Sequence, residues 1–117
     1  MDTPIPAESA RPVGEQRASP RKLLKVRAAL TVKGAPALMV RTIDIGTNGV
    51  CLAFLQPLPI GLTGTLSIDL MVDGKVYVLT AAAKSTYCIF SSGQYKTGFQ
   101  FLEMELSSRT ILAKFLR

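Results

Sequence analysis

Arg17 and Arg21 stand four residues apart, with Ala18-Ser19-Pro20 between them. Pro20 holds the residue before it toward extended conformations, so the two guanidiniums sit on a defined, non-helical segment. Arginine can grip a phosphate through two parallel hydrogen bonds, stack on an aromatic base, or read the O6/N7 edge of guanine; lysine does none of these as well. Farther along, Asp44-Ile45-Gly46-Thr47-Asn48-Gly49 sets a carboxylate before two glycines. Such a carboxylate can accept from the N1 and N2 hydrogens of guanine. Gly46 and Gly49 would let backbone N–H groups approach a ligand closely, and glycine and asparagine tolerate positive φ in a tight loop. Each pattern alone also has a plain reading: a chance spacing, and a turn whose Asp bonds its own backbone. The arginine spacing recurs as Arg21-x-x-x-Lys25. The Arg17 and Arg21 frame is preferred because it keeps both guanidiniums and lets a strand begin at Leu24.

Other chemistries are poorly provided for. The chain has no histidine, which removes Ser-His-Asp and Cys-His catalysis and imidazole-ligated metals. Cys51 and Cys88 are too few for a cysteine zinc site, and their apolar surroundings suit small hydrophobes. Asp69 and Asp73 belong to a sheet face and a turn; Glu103 and Glu105 read as solvated surface, and no nucleophile has a visible base. The chain is therefore not expected to be an enzyme, nor to carry a metal or cofactor.

Anion binding is better supported. The formal net charge is +6, and Gln16 to Ile43 holds seven basic residues and no acid, so the entire excess lies there. A field of one sign concentrates anions. RNA or single-stranded DNA would be one such anion, but binding sites for those strands interleave cations with aromatics. Residues 16–43 contain no aromatic.

The elements that must position these groups can be read from periodicity. The 117 residues allow one domain, and with 48% apolar residues a modest core can form without staples. Residues 1–16 hold three of the seven prolines, with Ala, Ser, Glu and Gly and almost no large apolar groups, and read as a flexible tail; residues 17–117 are expected to form the folded domain. Leu24, Val26, Ala28, Leu30 and Val32 alternate with Lys25, Arg27, Ala29, Thr31 and Lys33, which predicts a half-buried strand with a basic outer face. Strands are also predicted over Ala37–Ile45, Val50–Leu55 and around Leu66–Val72. Asp73-Gly74 signals a two-residue hairpin into Lys75–Lys84, with Ser85–Phe90 expected to prolong that strand after a bend. Ser91-Ser92-Gly93-Gln94 turns into a last strand, Tyr95–Phe101. Ser107 or Ser108 is expected to cap a terminal helix whose apolar stripe is Ile111, Leu112, Phe115 and Leu116. Six or seven short antiparallel strands plus one C-terminal helix predict an all-β fold, a small barrel. The N-terminus has neither the basic start nor the apolar run of a signal peptide, and no apolar stretch is long enough to span a bilayer, so a soluble cytoplasmic domain is the expectation.

In this order, Arg17-x-x-x-Arg21, a basic strand, Asp44-x-Gly46-x-x-Gly49, a hairpin-rich barrel and a helix, the chain resembles the PilZ domain family. The family pattern is R-x-x-x-R followed by [DN]-x-S-x-x-G; Pro57–Gly61 and Thr97-Gly98-Phe99-Gln100-Phe101 also match, and the resemblance covers roughly residues 16–117. It implies a receptor for cyclic di-GMP. Arg17 and Arg21 would contact phosphate and guanine, Asp44 would select guanine, and Gly46, Asn48 and Gly49 would complete the site. Ligand would order the N-terminal arginine segment, which would then signal to an effector protein of motility, pilus or polysaccharide machinery. The family serine is Gly46 here, and the hydroxyl lost with it is worth about 1 kcal/mol. That departure motivates the alternative of a PilZ-like adaptor acting by protein contact without nucleotide.

Overall fold

The structure, a computed structural model, describes residues 20–117. Seven strands precede one helix: β1 (Arg21–Leu23), β2 (Arg27–Thr31), β3 (Leu38–Gly46), β4 (Gly49–Phe54), β5 (Thr63–Val72), β6 (Lys75–Ser91), β7 (Gln94–Met104) and α1 (Leu106–Phe115). All pairings are antiparallel. The sheet runs β1-β3-β2-β5-β6-β7-β4, and β4 returns to pair with β3. That last pairing closes six strands, β2 to β7, into a barrel and leaves β1 as an extra strand on β3. The predicted all-β barrel with a C-terminal helix is therefore the fold.

Alternation builds the interior. Leu30, Ile45, Leu66, Ile68, Leu70 and Leu79 have no exposed surface, and Leu112 and Leu116 near the C-terminus join the same core. Two tight turns set the long strands in register. Asp73 and Gly74 have φ of 52° and 78°, and Ser92 and Gly93 have 55° and 81°. Positive φ at both central residues is the hairpin geometry whose twist matches the strands it joins.

The structure departs from the sequence reading in three places. The first strand is broken: β1 and β2 both lie along β3, but Leu23 faces Asp44 whereas Arg27 faces Arg41, so residues 24–26 carry one residue more than the strand opposite. Thr42 spans the irregularity. Its hydroxyl accepts from the Val26 N–H at 3.0 Å and donates to the carbonyl of Leu24. The second departure is that Lys75–Ser91 is one continuous strand, its expected bend reduced to a register shift at Thr86. The third is the helix start. Glu105 occupies the N-cap position and makes no side-chain cap bond. Ser108 lies inside the helix, where its hydroxyl accepts from the Thr80 N–H at 3.1 Å. Its bonding capacity goes to the β6 edge, where β7 no longer pairs, instead of to its own helix.

Thr42 is 2% exposed, so its polar contacts have no ready replacement by water. Thr42→Val keeps the shape and leaves the Val26 N–H and Leu24 carbonyl without that partner. The expected loss is about 1–3 kcal/mol of unfolding free energy, measured as a lower urea midpoint at unchanged slope.

Candidate functional site

The side chain of Asp44 faces outward because of one extra residue. On β3, Val40 and Thr42 are buried, and strict alternation would send Asp44 to the same face. The register instead steps from Thr42↔Leu52 to Asp44↔Cys51, leaving Ile43 without an opposite residue on β4. This bulge reverses the alternation. Ile45 becomes the buried residue, and the Asp44 carboxylate emerges on the outer wall.

Arg21 meets it there. Arg21 lies opposite Gly46 on β3, and Asp44 is its diagonal neighbour on the same face. The Arg21 guanidinium forms an ion pair with Asp44 Oδ1, donating through Nε at 3.1 Å and also through Nη2. The two side chains are 46% and 32% exposed, so solvent and salt can compete for both. Gly46 leaves room for the approach. A Cβ there would lie 2.8 Å from Arg21 Nη1 and 2.9 Å from Arg21 Cγ. The departure from the PilZ pattern thus has a local packing role: a serine at this position would press on the Arg21 side chain.

Gly49 is also filled by protein, since a Cβ on it would lie 2.3 Å from the Phe99 carbonyl oxygen across the β4–β7 pairing. Positive φ among the described residues is confined to Asp73, Ser92, Gly34, Gly61, Gly74 and Gly93. Gly46, Asn48 and Gly49 therefore do not use the left-handed freedom expected of them; at Gly46 and Gly49 the missing side chain serves close packing. Asn48 lies beside the cleft and its carbonyl accepts from the Phe101 N–H at 2.9 Å. Arg17 lies outside the described residues.

One contributor has no local signal in the sequence. Across the sheet, Asp44 faces Cys51, Cys51 faces Gly98, and Gly98 faces Tyr87. The Tyr87 ring lies over Gly98, where an added Cβ would fall 2.0 Å from Tyr87 Cε2. Its hydroxyl bonds Cys51 Sγ at 3.6 Å. Burial, reinforced by that bond, pushes the phenol up to about 12. Burial also raises the Cys51 thiol, the Tyr87 bond opposing it in part. A neutral thiol under a tyrosine is a poor nucleophile, in keeping with its reading as a small hydrophobe.

These groups line an open cleft of about 280 Å³ on the barrel wall, with Arg21, Asp44 and Asn48 at one side and Thr86, Tyr87 and Gln100 at the other. It offers a cation, a carboxylate and an aromatic ring within one small surface. A groove of about 560 Å³ adjoins it between α1 and β7, sharing Asn48 and lined mainly by apolar groups such as Phe101, Met104 and Leu112. The smaller cleft is the better candidate because charged and aromatic groups converge there.

The raised Tyr87 phenol ties stability to pH. The unfolded chain ionises this group from about 10, the folded protein only near 12. Its stabilising effect is complete below pH 10 and is lost as pH rises toward 12. Tyr87→Phe should therefore flatten the fall in stability over that range, measured by denaturant titration. Gly98→Ala should lift the ring off the sheet and bring the Tyr87 phenol back toward 10, seen in its ultraviolet ionisation curve relative to Tyr87→Phe.

Comparison with known proteins places the chain. The structure is similar to the inhibitor of motility MotI/DgrA of Bacillus subtilis, with a TM-score of 0.72 at 12% identity, over 81% of this chain and 47% of that one. It is similar to the MrkH–c-di-GMP complex of K. pneumonia, with a TM-score of 0.59 at 17% identity, over 84% of this chain and 49% of that one. The chain thus spans about half the length of each of these two. The PilZ domain of CeSA from a cellulose synthesizing bacterium gives a TM-score of 0.54 at 14% identity, over 82% of this chain and 93% of that one. No curated protein matches. At these identities the structural likenesses establish the fold. The PilZ domain family profile matches residues 15–117, nearly all of the sequence, and the chain belongs to the PilZ domain family.

Proposed function

We propose that this chain is a receptor for cyclic di-GMP that signals through a partner protein. The observation that carries the reading is the meeting of Arg21 and Asp44, 23 residues apart in sequence, on the outer wall beside Tyr87. The ligand brings two phosphates and two guanines. The Arg21 guanidinium would hold a phosphate or the O6/N7 edge of a guanine. The Asp44 carboxylate would accept from guanine N1 and N2, and the Tyr87 ring offers a face for stacking. Exposed ion pairs of this kind contribute about 0–1 kcal/mol, so separating Arg21 from Asp44 to admit ligand costs little. Arg17, four residues ahead of Arg21, would close on the ligand from the other side and bring the N-terminal segment with it.

Support comes also from the family and from MrkH, a similar fold seen with c-di-GMP. A receptor of this kind is regulatory rather than enzymatic and works in the cytoplasm. Its partner would belong to motility, pilus or polysaccharide machinery. Gly46 favours a second reading, an adaptor that acts by protein contact alone, since it removes a hydroxyl that other members present.

Isothermal titration of the chain with cyclic di-GMP separates the two, with linear GMP as control. The receptor reading expects binding in the wild type and roughly a 10–100-fold loss in Arg21→Ala, the worth of one charge-assisted hydrogen-bond set. Absence of binding at high micromolar ligand would sink it and leave the adaptor.

A further inference from the structure

Seven basic residues crowd positions 16–43, and the proposed site uses only two of them. Lys22 lies over the Phe115 ring at 5.4 Å. Arg41 is placed more suggestively. Across the outer wall it faces Ala53 on β4, Ala53 faces Lys96 on β7, and Lys96 faces Ile89 on β6. This row runs over the same four strands as Asp44, Cys51, Gly98 and Tyr87. The two rows are two residues apart on β4, about 7 Å along the strands.

The second row has three features of an anion seat. Its floor is a single methyl group, Ala53, which faces outward, lies outside the core cluster and is nevertheless 6% exposed. Its walls are two cations, two strands apart and so about 10 Å between backbones, which leaves room for a phosphate between the side-chain tips. No described carboxylate neutralises them. Asp44 is engaged by Arg21, and the residue on the far side of Arg41 is another cation, Arg27. Like charges set directly opposite on a sheet destabilise it, so the arrangement has a cost that an anion would relieve. Arg27 differs: continuing the β2–β5 register by one residue sets it beside Asp69.

Building on the function proposed above, we propose that Arg41 and Lys96 seat one phosphodiester of the ligand over Ala53. A guanine held by Asp44 and Tyr87 has its own phosphate about one row away. A cyclic dinucleotide presents its two phosphates on opposite sides of the ring, so Arg21 can serve only one at close range. The Arg41–Lys96 seat serves the other. Neither residue forms part of the arginine or aspartate motif, and Lys96 lies far from the basic segment in sequence.

The test is calorimetric titration of cyclic di-GMP into the full chain carrying Arg41→Gln, Lys96→Gln or both, with Lys33→Gln as a remote control that removes the same charge as either single variant. All of these positions are surface ones, and thermal melts check that the fold is kept. The double variant should bind roughly ten-fold or more weakly, with a shallower dependence of affinity on salt. Lys33→Gln should stay within about two-fold, since distant exposed charges are screened. A double variant that binds like wild type, while Arg21→Ala is impaired, overturns the seat and leaves the receptor standing. An equal loss in Lys33→Gln overturns it as well, because net charge would then explain the effect. No binding by the wild type overturns receptor and seat together.

Discussion

The candidate site depends on a single unpaired residue in β3. Ile43 has no opposite number on β4, and this one-residue excess decides which side of the barrel receives a carboxylate. Without it, Asp44 would point among Leu30, Ile68 and the other fully buried side chains, where an ionised carboxylate would be severely destabilised. With it, the alternation of the strand is reset, Ile45 takes the interior position, and Asp44 comes within reach of Arg21. Bulges bend a strand and re-aim its side chains; here the re-aimed group is the acid on which selection of guanine would rest.

Much of the framework was legible because small barrels obey simple rules. Alternation located β3, β4 and β5 to within a few residues, and Asp73-Gly74 marked its hairpin through the φ values that only certain residues accept readily. Residue type and spacing pick out Arg21 and Asp44, and the resemblance to the PilZ family joins them into one candidate site. What escaped was information carried by register. The surplus residues at 24–26 and at Ile43 leave almost no local trace, since Leu24, Val26 and Ala28 still alternate through the first irregularity. Tyr87 was missed for the same reason. Nothing in Thr86-Tyr87-Cys88 announces a ring beside Asp44 until β6, β7 and β4 are aligned. The lack of aromatics in residues 16–43, which speaks against RNA or single-stranded DNA as the ligand, is met on the folded surface by a ring from another strand.

The glycines show why a motif can be found for one reason and retained for another. Gly46 and Gly49 were singled out for backbone access to a ligand. In the fold, one gives passage to the Arg21 side chain and the other lets the Phe99 carbonyl come close. Gly98 carries a third instance, its bare backbone roofed by Tyr87. The outer wall is therefore shaped as much by missing side chains as by present ones. Small residues form the floor, Gly98 and Cys51 in one row and Ala53 in the next, and long polar residues stand around them.

Arg21 and Lys22 are consecutive on a short strand, so their side chains leave it in opposite directions. One pairs with Asp44 at the cleft; the other rests its ammonium on Phe115, in the last turn of the terminal helix. A cation on an aromatic face contributes about 0.5–1 kcal/mol at an exposed position, comparable with the ion pair on the other side. Beyond its ladder to β3, the three-residue strand is thus braced by two side-chain contacts of similar strength, one on each face. Drawing Arg21 off Asp44 would therefore shift the load onto the backbone ladder and the Lys22–Phe115 contact.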